Sequence, residues 1–412
     1  MARSCRWFAI LLAIGAALAP WSRPPATEAR TMQPPAFQPN YDESKVPRYL
    51  LPDPLLCADG TRIATTEAWE RKGRPETLDR FAFWVYGRAL PTAEVQIAEI
   101  ERDPQALGGR AIRKRARITA TADGRSFAFE ATLLLPADAR RVPAFLLINI
   151  RREGDGAGTG YWPVETILAR GYAAATFRTW DVDPDERDPA ARARGVRGIW
   201  PAGGGREGFD AWGTLAAWAW GASRVLDYLL TDPAIDPERI AVIGHSRGGK
   251  TALWAGAQDP RFALVISNES GCGGAALSRR RFGETVARIN TVFPYWFCDN
   301  FKRFNDREDD LPVDQHQLVA LVAPRAVYVA SAEEDRWADP RGEFLALAHA
   351  SPVYALYGEP GIRPEEMPPV DTPLHRGRMA YHLRRGAHAL TEYDWERYLD
   401  FADSLWRRRP AE

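Results

Sequence analysis

The sequence has few cysteines, few histidines and no excess of either charge, and each shortage excludes a class of protein. Its 412 residues include four cysteines and six histidines, and no Cys/His spacing resembles a metal site. Basic and acidic residues number 54 each, which gives no reason to expect nucleic acid or an anionic membrane as a partner. No glycine-rich phosphate loop occurs. We therefore expect neither a metal nor a nucleotide cofactor.

The apolar run at the amino terminus is shorter than a membrane span requires. Trp7 to Leu18 follows Arg3 and Arg6, and Ala17-Leu18-Ala19 resembles a cleavage site. We interpret residues 1–19 as a signal peptide and the Pro- and Ala-rich residues 20–40 as a flexible lead-in. The mature protein is then expected to be a soluble monomer, secreted or periplasmic, with no membrane contact.

Three cysteines remain when Cys5 leaves with the signal peptide. In an oxidising compartment Cys272 and Cys298 could pair, which would leave Cys57 alone. The odd number means that at least one thiol is unpaired within the monomer.

Strand-like and helix-like patterns alternate from about residue 110 onward. A hairpin is predicted around Ala122-Asp123-Gly124, and residues 213–230 repeat apolar side chains at helical spacing. Further strands are predicted at residues 142–150, 172–177, 240–243, 263–268, 326–331 and 352–357. This order predicts an α/β-hydrolase fold, a three-layer sandwich with helices on both faces of a mostly parallel sheet and the active site at the carboxyl ends of the strands.

Residues 41–412 are expected to form a single catalytic domain, on which residues 41–100 pack as an amino-terminal appendage. Two insertions, residues 178–210 and 278–311, are too long and polar for ordinary connections. We expect both to cover or border the active-site pocket and to determine substrate specificity.

The sequence Gly244-His245-Ser246-Arg247-Gly248 is typical of a nucleophile elbow. A buried strand precedes it and a helical pattern follows it, which is the context that the motif requires. The serine of such an elbow sits on a strained turn, where side chains two residues before and after it would collide with neighbouring backbone. Ser246 is therefore the predicted nucleophile.

Two cations occupy the first turn of the helix that follows the elbow. Arg247 and Lys250 face the exposed N–H groups of that turn, where a positive charge typically costs about 0.3–1 kcal/mol. An oxyanion that develops at Ser246 would offset this cost. Lys250 lies one turn beyond the serine, where its ammonium can offer donors to a polyhydroxylated ligand.

A serine hydroxyl needs a base, and in α/β-hydrolases the histidine follows the nucleophile and the acid along the chain. His388 lies in a loop of small residues before a final helix and is favoured over His382, which falls in a predicted strand. His245 is expected to be structural. Asp335 and Glu269 each follow a predicted strand, and either could orient the imidazole.

These residues resemble the glucuronoyl esterases, carbohydrate esterase family fifteen, and above all their bacterial branch. The resemblance runs from about Tyr41 to Asp403. The matching motifs are residues 244–250, 268–271, 278–280, 282–285, 311–316 and 337–340.

The resemblance implies that Ser246 is the nucleophile, His388 the base and Arg247 an oxyanion donor. It also implies that Glu269 occupies the main acid position of the family and that Asp335 matches a second acid of bacterial members. Lys250, Glu284 and Trp337 are implied as ligands of the uronate ring. Fungal relatives carry one cysteine before the serine and another after the histidine; His245 and Ala389 replace them here, so we expect packing alone to hold the two loops.

The activity that the resemblance implies is hydrolysis of the ester between (4-O-methyl-)glucuronic acid of glucuronoxylan and lignin alcohols. One alternative is an acetyl-xylan or other carbohydrate acyl esterase, for which an ammonium near the serine has no evident use. Another is a non-catalytic carbohydrate-binding protein on a hydrolase scaffold, which the complete set of serine, histidine and acid candidates opposes.

Overall fold

The computed structural model describes residues 37–154 and 156–406. The predicted signal peptide and most of the predicted lead-in lie outside these residues. From Pro39 onward the described chain forms one compact unit. Within it, no helix combines the length and the apolar character that crossing a membrane would demand.

Ten strands of the described chain form one sheet in the order β1-β2-β3-β5-β4-β6-β7-β8-β10-β9. The six strands from β5 to β10 in this order pair in parallel, whereas β1, β2, β3 and β9 pair antiparallel with their neighbours. The strands are β1 Glu94–Gln105, β2 Ala111–Ala122, β3 Arg125–Pro136, β4 Val142–Asn149, β5 Ala173–Arg178, β6 Ile235–His245, β7 Leu264–Asn268, β8 Ala326–Ala332, β9 Leu374–Arg376 and β10 Met379–Arg384.

The described chain also contains α-helices, most of which lie before, between or after the parallel strands. They are α1 Thr66–Ala68, α2 Arg74–Phe81, α3 Ala106–Gly109, α4 Val164–Ala169, α5 Thr179–Val182, α6 Pro189–Arg192, α7 Val196–Ile199, α8 Thr214–Thr231, α9 Arg247–Gln258, α10 Val286–Val292, α11 Gln315–Ala320, α12 Pro340–Leu356 and α13 Glu392–Trp406. Two π-helical turns, Trp69–Gly73 and Ala82–Tyr86, flank α2.

Strand β4 shows why the molecule has three layers. Its side chains alternate between two apolar cores, because successive residues of a strand point to opposite faces. Leu146 and Ile148 pack in the core that includes residues of α8, α9, α11 and α12. Phe145 and Leu147 pack in the other core, with α4 and α13. The chain therefore has the α/β-hydrolase architecture that the sequence predicts.

Four parallel strands that are neighbours in the sheet bring the predicted catalytic residues together. Ser246 follows β6, Glu269 follows β7, Asp335 lies three residues after β8, and His388 lies four residues after β10. Because these strands run side by side in parallel, their carboxyl ends meet at one edge of the sheet.

Most of the predicted strands are confirmed, but the one at residues 352–357 is wrong. Those residues belong to the end of α12 and the turn after it. A short apolar run does not distinguish a strand from a buried helix. Here Asp339 caps the helix by accepting from the N–H of Gly342 at 3.0 Å, Pro340 occupies its first turn, and the helix continues past Pro352.

One further feature differs from the expectations, and one concerns a cysteine pairing that the sequence left open. Strand β1 begins at Glu94, so part of the region expected to be an appendage is an edge strand of the main sheet. Cys272 and Cys298 are not paired: they and Cys57 are buried free thiols. The thiol of Cys298 instead points to the carbonyl of Phe83, with Sγ 3.5 Å from the oxygen.

Candidate active site

The turn at Ser246 has the backbone strain that a nucleophile elbow requires. Ser246 has φ 56° and ψ −125°, and its N–H donates to the carbonyl of Asn268 at 2.9 Å. A Cβ at Gly244 would lie 2.0 Å from the carbonyl oxygen of Gly248, a distance that no side chain tolerates. A Cβ at Gly248 would lie 3.2 Å from the carbonyl oxygen of Ile148, which is tight but less severe.

All eight residues that the sequence predicts for catalysis or substrate binding line one cavity of about 340 Å³. Aromatic side chains from the second insertion, Phe293 and Trp296, complete its wall. The predicted residues that line it are Ser246, Arg247, Lys250, Glu269, Glu284, Asp335, Trp337 and His388.

His388 reaches both acid candidates through the same ring nitrogen. Its Nδ1 lies 2.6 Å from Oδ2 of Asp335 and 3.1 Å from Oε2 of Glu269. Both carboxylates are buried, whereas the imidazole is 42% exposed and opens to the cavity. Contact at Nδ1 fixes the tautomer and leaves Nε2 for proton transfer.

The two carboxylates make the imidazole unusually basic. Burial lowers the pKa of His388, but its hydrogen bonds to Asp335 and Glu269 outweigh burial and raise it to about 9. Burial raises the pKa of Glu269 to about 7 against the opposing influence of His388 and Arg384.

Glu269 is held by contacts on both of its oxygens. Oε1 accepts from Nη2 of Arg384 at 2.6 Å, and Oε2 accepts from the N–H of Ala389 at 2.9 Å. The backbone of Glu269 is in the left-handed region, with φ 48°. Its carboxylate therefore has a fixed position from which to orient His388.

The rival histidines lie outside the catalytic geometry. His382 is fully buried in β10 and contacts Asp394 and the hydroxyl of Tyr328. His245 is buried too, its Nδ1 lies 2.6 Å from Oδ1 of Asn268, and burial lowers its pKa to about 3.

The neutral ring of His245 packs against His388, with the ring centroids 4.4 Å apart. His245, Glu269 and His388 place potential metal-ligand atoms within 4.8 Å of one another. Contacts inside the protein already engage Nδ1 of both histidines and both oxygens of Glu269. We therefore interpret Glu269 and His388 as acid-base machinery and His245 as a structural neighbour that packs against the catalytic imidazole.

Arg247 is anchored beside the nucleophile by Asp185. Nε of Arg247 lies 2.8 Å from Oδ2 of Asp185, and the guanidinium lies over the ring of Trp296, 5.9 Å from its centroid. Oδ1 of the same carboxylate accepts from the indole N–H of Trp296 at 2.7 Å and from the hydroxyl of Tyr295 at 3.0 Å. A fixed cation next to Ser246 can stabilise negative charge that develops there.

The predicted sugar ligands line the same cavity and interact with one another. Lys250 is buried and its ammonium donates to the carbonyl of Ser270, which leaves further N–H donors for a ligand. Burial raises the pKa of Glu284, whereas Lys250 and a hydrogen bond from Trp337 lower it. Trp337 is 37% exposed and can present its ring to a sugar.

Comparison with known proteins agrees with this geometry. Residues 118–358, more than half of the chain, match the family model described as glucuronyl esterase, fungi. The chain is 42% identical to a prokaryotic carbohydrate esterase named MZ0003, and the match covers 98% of each protein. It belongs to the glucuronoyl esterase family.

Solved structures support the same assignment to glucuronoyl esterases, which are carboxylic ester hydrolases. A glucuronoyl esterase from Solibacter usitatus is 41% identical, with a TM-score of 0.81 over 89% of this chain and 100% of that one. A glucuronoyl esterase from Sporotrichum thermophile, in complex with methyl 4-O-methyl-β-D-glucopyranuronate, is 25% identical with a TM-score of 0.65 over 88% and 89%.

In this glucuronoyl esterase, hydrogen bonds and ion pairs hold the two catalytic loops, so the expectation of packing alone is wrong. Arg384 donates to the carbonyls of Ala387 at 2.9 Å and Ala389 at 2.7 Å, on either side of His388. Its Nε lies 3.1 Å from Oδ2 of Asp394, which also accepts from the N–H and hydroxyl of Thr391. Thr391 thus donates to Asp394 at the start of α13.

Sequence reasoning on this glucuronoyl esterase missed four residues of the site: Arg384, Asp185, Phe293 and Trp296. The two aromatic residues and Asp185 lie in the insertions that were expected to border the pocket, so their region was predictable. Arg384 carried no local signal, since its contact with the catalytic site runs to Glu269, 115 residues away, and in the sequence it looks like any other charged residue.

Proposed function

We propose that the chain is a serine esterase that hydrolyses the ester between (4-O-methyl-)glucuronic acid of glucuronoxylan and lignin alcohols through a covalent acyl-enzyme. The observation that supports this most is the meeting of Ser246, His388 and two carboxylates in a cavity that also contains Lys250 and Glu284. The serine, the histidine and the two carboxylates suit acyl transfer, and Lys250 and Glu284 suit a hydroxylated, acidic sugar.

In the acylation step, Oγ of Ser246 attacks the C6 carbonyl of the uronate while Nε2 of His388 takes its proton. The imidazolium that forms is stabilised at Nδ1 by Asp335 and Glu269. The oxyanion is stabilised by the guanidinium of Arg247 and by N–H groups in the first turn of α9, which have no acceptor within the helix. His388 then returns the proton to the leaving alcohol as the tetrahedral intermediate collapses.

In the deacylation step, water attacks the acyl-enzyme while His388 again removes a proton. Collapse of the second intermediate breaks the bond to Oγ, and His388 returns its proton to Ser246. The free uronic acid then leaves the cavity. Both carboxylates remain hydrogen-bonded to Nδ1 throughout, so either can support the charge on the imidazolium.

Recognition of the acyl group rests on three side chains of the cavity. Lys250 donates to ring hydroxyls, Glu284 accepts from them, and Trp337 presents an apolar face or its indole N–H. This arrangement disfavours a general acetyl-xylan esterase, because a small acyl group leaves the buried ammonium of Lys250 with no ligand.

The test compares hydrolysis of benzyl glucuronate and benzyl galacturonate by the wild type and the Ser246→Ala variant. We expect the wild type to cleave the glucuronate ester and the variant to lose about 10⁴-fold or more of its kcat. Ser404→Ala, which alters an exposed serine on α13, serves as the control and should match the wild type. Undiminished turnover by Ser246→Ala would end this proposal.

We also propose that the enzyme acts as a monomer outside the cytoplasm, after removal of residues 1–19. The cationic start and the apolar run of that segment support export. Amino-terminal sequencing of protein recovered from the periplasm or the medium, together with its size in solution, tests both points. A mature protein that still begins at Met1, or an obligate dimer, would contradict them.

A further inference from the structure

A second cavity of about 350 Å³ lies behind the wall of the catalytic cavity. Successive residues of one segment divide the two: Phe293 and Trp296 line the catalytic cavity, whereas Tyr295 and Phe297 line the second one. Its size falls within the range of ligand pockets. We call it the accessory cavity.

The accessory cavity has an excess of two positive charges. Four of its lining side chains are cations and two are carboxylates: Arg187, Arg192, Arg197, Lys302, Glu207 and Asp299. Most of the cations are engaged within the protein. Arg197 pairs with Asp183 at 2.7 Å, Arg187 donates to the carbonyls of Thr291 and Val292, and Lys302 pairs with Asp299.

Arg192 is the exception among these four cations. It is half-buried, it forms no ion pair within the described part of the chain, and its buried Nε has no hydrogen-bond acceptor there. Its guanidinium lies over the ring of Tyr295, 5.7 Å from the centroid. Burial and the nearby charge of Arg197 lower its pKa, although Asp183 and Asp188 oppose this. A cation in this position lacks a counter-ion.

We propose that the accessory cavity binds the carboxylate of a uronic acid, with Arg192 as its principal ligand. A carboxylate matches the planar fork of a guanidinium and would supply the missing counter-ion. The hydroxyls of the sugar would meet the polar groups that surround Arg192. This inference rests on the proposed function for the kind of sugar acid, since the substrate carries a glucuronate.

A ligand in the accessory cavity would be linked through Tyr295 and Asp185 to Arg247, which lies beside the nucleophile. Tyr295 borders the cavity, and its hydroxyl donates to Asp185, which holds Arg247 beside Ser246. The bound carboxylate comes from one of two sources. It is either uronic acid released by the reaction or a second uronate on the same polysaccharide.

The test is a calorimetric titration of the full chain with D-glucuronate, with D-glucose as the probe without a carboxylate. We expect two binding events for glucuronate in the wild type. Arg192→Gln should weaken one of them at least about tenfold, and Arg192→Lys, which keeps the charge and loses the fork, should weaken it less. Arg194→Gln, two residues away and outside the accessory cavity, should keep both events.

Lys250→Met separates this inference from the proposed function. That variant should weaken the event in the catalytic cavity and leave the event that depends on Arg192. If glucuronate shows no event that depends on Lys250, the proposed function loses support while the accessory site stands. A single event in the wild type, or two unchanged events in a folded Arg192→Gln protein, would overturn the accessory site.

Two xylo-oligosaccharides distinguish the sources. If the polymer supplies the carboxylate, an oligosaccharide with two glucuronates binds more tightly than one with a single glucuronate, and Arg192→Gln removes the difference. If the free product supplies it, the two oligosaccharides bind alike and added glucuronate still fills the site. Either result supports a carboxylate site at Arg192.

Discussion

Nη2 of Arg384 lies 2.6 Å from Oε1 of Glu269, so a buried guanidinium neutralises the carboxylate that contacts His388. The same guanidinium donates to the backbone on both sides of His388 and pairs with Asp394. One side chain thus joins the acid loop, the histidine loop and the start of α13.

Replacing Arg384 with Met should therefore lower both stability and kcat. Loss of one partner from a buried ion pair typically costs about 3–5 kcal/mol, because a buried charge is left alone. Thermal unfolding and steady-state rates on benzyl glucuronate measure the two effects. Arg385→Met is the matched control, since that side chain is 78% exposed and should be replaceable with little change. Equal stability and equal kcat in the two variants would show that Arg384 has no such role.

The rate should rise with pH until the imidazole is mainly neutral. His388 acts as a base only when neutral, and its hydrogen bonds to Asp335 and Glu269 overcome burial and raise its pKa to about 9. The logarithm of kcat/KM should therefore increase up to about pH 9 in the wild type.

Removing either negative charge should lower the pKa of His388. In Asp335→Asn and in Glu269→Gln the rising limb of the pH profile should move to lower pH, while the maximal rate falls because the imidazolium is less stabilised. Glu333→Gln changes an exposed carboxyl two residues from Asp335 and should leave the limb in place. A limb that stays at the wild-type pH in both active-site variants would rule out this account of the pKa.

Arg247 should matter for kcat, and Asp185 should matter through Arg247. Loss of one oxyanion donor typically costs about 10²–10³ in kcat, which we expect for Arg247→Ala. Asp185→Asn keeps an acceptor for Tyr295 and Trp296 but removes the charge that holds Arg247, so its kcat should fall less, with little change in KM. Asp181→Asn, which breaks a pair with Arg178 outside the catalytic cavity, is the control. A wild-type kcat in Asp185→Asn would contradict the positioning role.

Lys250 should discriminate between an acidic sugar and a small acyl group. We expect Lys250→Met to raise KM for benzyl glucuronate at least about tenfold, because a charge-assisted hydrogen bond is lost. Turnover of p-nitrophenyl acetate should change little, and the exposed Lys72→Met should affect neither substrate. If the variant lost both activities in proportion, Lys250 would have a structural role and no part in specificity.

The two glycines of the elbow should differ in tolerance. Gly244→Ala places a methyl group 2.0 Å from backbone oxygen, so we expect a loss of about 3 kcal/mol or more, or failure to fold. Gly248→Ala meets atoms at 3.2 Å, and small shifts can accommodate it. Melting temperatures of the two purified variants measure the difference. Equal melting temperatures would contradict this prediction, because they would show that the carbonyl of Gly248 can move away from a methyl group at residue 244.

The parts of the fold that the sequence predicts are those with a local signal. The hairpin around Asp123, the strand and helix around Ser246 and the loop of His388 each combine an apolar pattern with turn residues, and all three are present. The strand predicted at residues 352–357 is wrong because a six-residue apolar run fits the end of a helix as well as a strand. Strand β1 was not predicted because this edge strand is mostly exposed, and few of its residues, such as Val95 and Ile97, pack against the core.

In the candidate site, too, the residues that could be predicted are those with a local signal in the sequence. Ser246 and His388 lie in motifs, and all eight predicted residues line one cavity. The choice between Glu269 and Asp335 could not be made from the sequence, and the structure gives both a contact with Nδ1. Asp185 contacts Arg247, which is 62 residues away in the sequence, and Arg384 contacts Glu269, which is 115 residues away. Such contacts exist only after the chain has folded.

The pairing of Arg384 with Glu269 and Asp394, in a chain whose Cys57, Cys272 and Cys298 are free, also bears on the conditions under which the protein works. Its catalytic loops are joined by charge and not by a covalent crosslink, so reductants such as dithiothreitol should leave activity intact. Acid should instead weaken these contacts at Asp394: burial raises the pKa of that carboxyl, but His382 and Arg384 outweigh burial and lower it, so its protonation at low pH opposes the folded arrangement.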